Sequence, residues 1–311
     1  MGLRLDPQDT ERSRDVPPSA SRTLRDAWLE LIKPGILKMV LVTTALGYVL
    51  AARSIPSIWT LLITLVGTGL AAAGAAILNN YLERDTDQRM RRTMNRALPA
   101  GEIDPDHALA AGVGTVLGGV VLLAWQVNLL AGFLVLLTAF LYVLVYTPLK
   151  RRTWLNTPVG AIPGALPTMV GWAAANNALD PGAWVLFGIL FAWQHPHFYA
   201  IAWMHREDYR KAGFQMLSVI DPSGRRVFRQ AIGFSLLLLV VSLGLYWLDL
   251  AGPLYLFGAV TAGAGMLTAS VLFWNAGTVQ AARKVLLTSI VYLPAMFVLI
   301  VLDLLLTGTW S

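Results

Sequence analysis

Nine stretches of this sequence are long and apolar enough to cross a bilayer, and that repetition leaves few folds open. They run over 36–52, 57–79, 107–125, 128–147, 157–175, 183–204, 228–249, 253–274 and 285–306. A bilayer core takes about 20 residues of helix, whereas buried strands are far shorter than these stretches. The expected fold class is therefore all-α: a polytopic membrane protein with nine transmembrane helices. Composition agrees, since only 14% of the 311 residues are charged and 56% are hydrophobic, where soluble domains carry about 25% charged residues.

The formal net charge is +6. A basic balance alone would raise nucleic acid as a partner, but Lys and Arg also collect on the cytoplasmic side of membrane proteins. With the N-terminus inside, the inner segments are 1–38, 80–106, 148–156, 205–227 and 275–284; every Lys and Arg except Arg53 falls in or beside one of them. The expectation is a cytoplasmic N-terminus, an outer C-terminus and no nucleic-acid partner. Residues 1–35 hold no apolar core of a signal peptide, so no cleavable leader is expected. Residues 1–27 read as a polar cytoplasmic tail and 28–311 as one membrane domain, with an interfacial helix around TLRDAWLELIK. There is no cysteine, which excludes disulfides and thiolate-ligated metals.

Small residues at helical spacing (Gly67, Ala71 and Gly74; Gly114 and Gly118) are assigned to close helix packing. Asp303, near the outer end of the last stretch, reads as an interfacial residue.

The second apolar stretch ends in NNYLERDTDQRMRRTMNR, residues 79–96. Asn79, Glu83 and Asp87 are spaced i, i+4, i+8 and share one helix face, while Asp85 points elsewhere. Oxygen donors of this kind suit Mg²⁺, which takes one or two carboxylates together with substrate phosphate. The alternative is a solvated helix end whose acids pair with its arginines. Arg91, Arg92 and Arg96 continue the segment; Lys150, Arg151 and Arg152 lie on a second inner loop; His205, Glu207, Asp208, Tyr209, Arg210 and Lys211 lie on a third. Guanidinium groups bind phosphate oxygens in pairs. Three inner segments thus offer carboxylates and cations at one membrane face, which fits a lipid diphosphate with its head at that face.

The segment NNYLERDTDQRMRRTMNRALPAG resembles the first aspartate-rich motif of the UbiA superfamily of intramembrane prenyltransferases, N-x3-D-x3-D followed by R-T-x-x-R-P-L. Asn79, Glu83, Asp87, Arg92, Thr93 and Arg96 match in position; Glu83 stands for the usual Asp and Ala97 for the usual Pro. Two further stretches, YTPLKRRTWLNTPVGAIPGALPTMVGW (146–172) and WQHPHFYAIAWMHREDYRKAGFQML (193–217), are similar to the heme O synthase branch, with Gln215 at a position where Pro is common. The resemblance covers about residues 28 to 306.

It implies transfer of a farnesyl group from farnesyl diphosphate to a vinyl group of heme B, giving heme O for terminal oxidases, in a bacterial inner membrane and with Mg²⁺ as cofactor. It implies that Asn79, Glu83 and Asp87 hold Mg²⁺, with Asp208 joining from the second acidic motif beside His205 and Glu207. Arg92, Arg96, Lys150 and Arg151 would contact diphosphate; Glu83, Asp87, Asp208 and Lys150 would be the catalytic set. His197, with His195 and Trp193, is the candidate heme contact, an ionisable group in a membrane helix being a functional candidate by default. Trp172 and Gln194 are candidate walls for the porphyrin, and Asn156 is either a site residue or a cap. Partner proteins of such an enzyme would be a heme A synthase or the oxidase assembly. Two rival readings stand beside this one: a related prenyltransferase acting on an aromatic or quinone precursor, and a heme or lipid transporter or assembly factor without catalysis.

Overall fold

The computed structural model describes residues 23–52, 57–90 and 92–307. Most of the expected tail, Arg53 and Arg91 lie outside the described residues. The described chain is helical throughout: α1 Leu24–Leu31, α2 Pro34–Ala52, α3 Ile58–Asp87, α4 Pro105–Gln126, α5 Leu129–Phe140, a π-helical turn Leu141–Tyr146, α6 Thr147–Leu149, α7 Asn156–Asn176, α8 Pro181–Met204, α9 Arg206–Lys211, α10 Leu217–Ile220, α11 Arg225–Ser242, α12 Gly244–Trp247, α13 Pro253–Ala276 and α14 Val279–Thr307.

A helix occupies each of the nine expected stretches, but the count of nine spans is not confirmed. Seven helical segments are long and apolar enough to cross a membrane; α7 and α8 are not among them. The reason lies in their sequences. α7 carries Pro163 and Pro167, and α8 carries Gln194, His195, Pro196 and His197. Both are packed inside the bundle: α7 against α2, α5 and α8, and α8 against α11 and α14. The protein is an integral membrane protein, and α7 and α8 are among its most enclosed long helices.

Local sequence sets the helix ends. Thr23 caps α1 by accepting from Asp26 N, Asp104 caps α4 ahead of Pro105, and the Asn128 side chain accepts from Ala131 N at the start of α5. The expected boundary at 27/28 falls inside α1, whose Ala27 and Leu31 are buried against Ile77, Ala97, Leu98, Ile103 and Ala108. Tryptophans Trp59, Trp125, Trp184 and Trp247 are exposed at the ends of α3, α4, α8 and α12. All four lie away from the charged end of α3, as an interfacial aromatic belt would.

Helices approach closely through small residues. A Cβ on Gly47 would sit 2.0 Å from Thr168 O and one on Gly171 1.9 Å from Thr44 O, so α2 and α7 touch backbone to backbone. The expected packing residues on α4 need correction. Gly114 and Gly118 face open space, while Gly112 and Gly119 meet Gly74 and Gly67 of α3. Residues 112 and 119 are seven apart and return to one face after two turns; 114 and 118 lie on another.

Asp303 also needs correction. It is 3% exposed, and its Oδ2 accepts from Tyr255 N at 2.6 Å. It is a buried acid at the N-terminus of α13, where helix N–H groups lack partners.

Candidate active site

The carboxylate face of α3 forms as its spacing predicts. Asn79, Glu83 and Asp87 are all buried, at 0%, 8% and 1% exposure. Asp85 lies outside this face; its side chain is 78% exposed and pairs loosely with Arg84. The three buried residues each meet a cation from a different part of the chain. Lys150 Nζ bonds Glu83 Oε1 at 2.8 Å, Arg96 Nη1 bonds Asp87 Oδ2 at 2.8 Å, and Lys33 Nζ donates to Asn79 Oδ1.

Each cation is placed by its own backbone. The π-helical turn before α6 lets Thr147 donate to Tyr142 O and accept from Asn79 Nδ2 at 2.9 Å, locking this region against α3. A π turn inserts one residue and re-aims the side chains after it. Lys150 then sits 4.7 Å over the Tyr146 ring. Thr93 Oγ1 donates to Asp87 O at 2.9 Å and folds the arginine loop back under the helix end. Lys33 stands between α1 and α2 at φ +51°, a left-handed conformation that lysine rarely takes. It is fixed by Asn80 Nδ2 donating to Leu31 O and by Lys33 N donating to Glu30 O.

Three cations facing two carboxylates shape the protonation of the lysines. Burial depresses Lys33, as do Lys150 and Arg96, against the opposing pull of Glu83 and Asp87; the result is about 7. Burial also works against the charged form of Lys150, but Glu83 and the Tyr146 and Tyr142 rings outweigh it and hold the ammonium above the usual lysine range.

The second and third loops join the site by packing. Met90 is buried with Ala212, Phe214 and Met216, with Tyr209 against them. Gln215 N donates to Lys150 O at 2.8 Å, and Asn156 Nδ2 donates to Gln215 O. Asn156 is thus a tie between loops, and Gln215 makes a bond that a proline there could not make. Asp208 lies on this third loop, half-buried and without a side-chain hydrogen bond or ion pair among the described residues. Arg92 and Arg151 are exposed beside the cluster. Lys33 is the site residue the sequence reading missed. The only local signal was a lone Lys–Pro pair at the head of the first apolar stretch.

Among the described residues no three His, Cys, Asp or Glu side chains converge as a metal cage. Two carboxylates and an amide oxygen on one face nevertheless suit Mg²⁺ completed by phosphate and water. Their present cationic partners mark that face as one that attracts positive charge.

Farther along the bundle, His195 and His197 sit on α8. His195 is fully buried with its ring flat on Phe234, and His197 is half-buried against Ser289 of α14. Trp193 Nε1 donates to Ser289 O. Gln194 bonds Ala161 O and Leu190 O, and Trp172 Nε1 reaches Asp180 at the opposite end of α7; both serve packing between helices.

A helical membrane bundle with buried acids and matching cations at one end is an arrangement that an intramembrane prenyl-transferring enzyme can use. The sequence profile of the UbiA prenyltransferase family matches residues 40–301, and the chain belongs to that family; it is a prenyltransferase. A protoheme IX farnesyltransferase of Solibacter usitatus is 44% identical over 289 residues, 90% of this chain and 99% of that protein. One of Salinibacter ruber is 42% identical over 276 residues, 89% of this chain and 98% of that protein. Among solved structures, a digeranylgeranylglyceryl phosphate synthase superposes with TM-score 0.77 at 17% identity, over 90% of this chain and 98% of that one. A UbiA homologue from Archaeoglobus fulgidus bound to GPP and Mg²⁺ does so with TM-score 0.68 at 14% identity, over 88% of this chain and 99% of that one.

Proposed function

We propose that this enzyme transfers a farnesyl group from farnesyl diphosphate to a vinyl group of heme B, making heme O. Two supports carry the acceptor and donor: the relatives at 42–44% identity bear the name protoheme IX farnesyltransferase, and the solved Archaeoglobus homologue holds a prenyl diphosphate with Mg²⁺. The single observation that carries the chemistry is the pairing of Glu83, Asp87 and Asn79 with Lys150, Arg96 and Lys33.

Asn79, Glu83 and Asp87, with Asp208 from the third loop, would hold Mg²⁺. When bound, that ion supplies Lewis-acid neutralisation of the diphosphate. With the acids so engaged, Lys150, Arg96 and Lys33 turn to the phosphate oxygens, and Arg92 and Arg151 extend the grip from the exposed rim. These cations stabilise charge as it develops on the leaving group. Ionisation breaks the bond between the allylic carbon and its oxygen. The allylic carbon bonds the terminal vinyl carbon, and water adds to the resulting cation and loses a proton. Heme B, farnesyl diphosphate and water thus give heme O, diphosphate and a proton. The apolar interior of the bundle keeps stray water from the first cation.

On α8, Trp193 and His197 are the proposed heme contacts, while His195, fully buried under Phe234, is left to helix packing. We read the α3 end as cytoplasmic because positive charge gathers there, which would put the C-terminus outside, and we take the host membrane to be a bacterial plasma membrane. A heme A synthase or terminal-oxidase assembly is the natural consumer of the product.

Purified protein in detergent, given heme B, farnesyl diphosphate and Mg²⁺, should yield heme O by mass spectrometry, and EDTA should abolish it. Prenylation of 4-hydroxybenzoate instead of heme would refute the acceptor and keep the reaction class. Binding of heme without diphosphate release under any of these conditions would favour a carrier.

A further inference from the structure

His195 and His197 lie two residues apart on α8, yet their ring nitrogens are in opposite situations. His195 Nδ1 is 2.7 Å from Phe191 O. A carbonyl only accepts, so Nδ1 carries the proton and Nε2 is a bare acceptor. That Nε2 is buried without a partner among the described residues. Phe234 covers the ring face at 3.5 Å between centroids, 10° from parallel, and Phe191 closes it edge-on at 4.8 Å. No porphyrin can reach this nitrogen without dismantling the α8–α11 contact.

His197 is set differently. Its Nδ1 is 2.7 Å from Ser289 Oγ. Ser289 spends its one hydroxyl proton on Leu286 O, at 2.6 Å, so Oγ must accept from the ring. His197 is therefore the tautomer with Nδ1–H. Its Nε2 keeps a free lone pair, makes no hydrogen bond among the described residues, and belongs to a ring only half covered. The indole of Trp193 lies against that ring at 4.8 Å and 24° from parallel, and its N–H donates to the main-chain oxygen of the same serine at 2.8 Å. One fully buried serine on α14 thus fixes both aromatic side chains.

A ligating histidine needs its free nitrogen unprotonated, its other nitrogen hydrogen-bonded, and open space for the metal's other ligands. His197 meets the first two conditions and presents a ring only half covered, whereas His195 is fully buried beneath Phe234. We infer that His197 Nε2 is the axial ligand that holds the iron of the acceptor porphyrin, and that Ser289 is the positioning residue selecting its tautomer. The lone pair of Nε2 fills an open coordination position of the iron, and no electron is transferred. This rests on the proposed reading that heme is the acceptor.

The test is a titration of the purified full chain in detergent with ferric heme B, without farnesyl diphosphate, followed by absorption spectroscopy. The wild type should saturate with the spectrum of imidazole-ligated heme. His197→Gly should lose that spectrum, and free imidazole should restore it on heme that co-elutes with the protein in size exclusion, which neither a misfolded variant nor free heme in detergent would show. Ser289→Ala should weaken heme binding about 10-fold, the usual cost of removing the partner of a ligating histidine, and Ser289→Thr should recover most of it. His195→Phe should keep the wild-type spectrum. An unchanged spectrum in His197→Gly, or a loss that imidazole does not repair, would overturn the assignment. Heme ligation without prenyl transfer would refute the proposed reaction alone; prenyl transfer indifferent to His197 would refute the ligand alone.

Discussion

Lys150 Nζ and Glu83 Oε1 lie 2.8 Å apart, with side chains only 14% and 10% exposed, joining residues 67 positions apart in the chain. This contact pins the end of α6 to the acidic end of α3. Removing one partner of a buried pair leaves the other charge uncompensated, at a cost of about 3–5 kcal/mol. Lys150→Met should therefore lower the thermal stability of the detergent-solubilised protein strongly. The double variant Lys150→Met/Glu83→Gln should recover much of that stability and none of the turnover. A double variant as unstable as the single one would show that the pair is not coupled.

The strap formed by α1 makes a separate prediction. Glu30 Oε2 accepts from Ala97 N at 3.1 Å, next to Arg96. Glu30→Ala should loosen the arginine loop and raise KM for farnesyl diphosphate several-fold, and Glu30→Gln, which keeps the acceptor, should restore it. A fall in kcat with unchanged KM would remove Glu30 from this role.

Helix packing can be tested on two glycines. Gly171→Ala places a methyl 1.9 Å from Thr44 O, whereas Gly118→Ala meets nothing within 4 Å. Overpacking of this kind costs about 1–3 kcal/mol, so the first variant should melt earlier and the second should match the wild type. Equal melting temperatures would refute the close α2–α7 contact.

Asp303 anchors α13 from α14. Asp303→Ala removes the acceptor of Tyr255 N and should cost about 1–2 kcal/mol, as loss of a helix cap does. Activity per folded molecule should be unchanged, because α13 begins at the end of the bundle away from the acids. A selective loss of turnover would give Asp303 a catalytic role instead.

The sequence revealed most where periodicity carried the signal. Apolar length located every long helix, and the i, i+4, i+8 spacing put Asn79, Glu83 and Asp87 on one buried face while turning Asp85 out. What it missed depended on contacts between distant segments. Nothing local marks Lys33 as a partner of Asn79, because that meeting requires the left-handed turn after α1 and the bond from Asn80 to Leu31. The packing glycines of α4 were misread because 114 and 118 have the right spacing on the wrong face. Asp303 looked interfacial because its partner, a helix N-terminus, is 48 residues away. The sequence motif already favoured His197 over His195, but the contact of its ring with the hydroxyl of Ser289, 92 residues away, was not legible there.

The central claim is that the buried acids of α3 serve diphosphate ionisation, and Asp87 tests it most directly. Asp87→Asn keeps the size of the side chain, and an oxygen to meet Arg96, but loses the charge. Asp85→Asn, two residues away and exposed, is the internal comparison. Mg²⁺-dependent diphosphate release from farnesyl diphosphate in the presence of heme B should fall at least 100-fold in Asp87→Asn, a loss within the range mutagenesis finds for one electrostatic group at an active site, and stay near wild type in Asp85→Asn. Wild-type release from a folded Asp87→Asn protein would contradict the account.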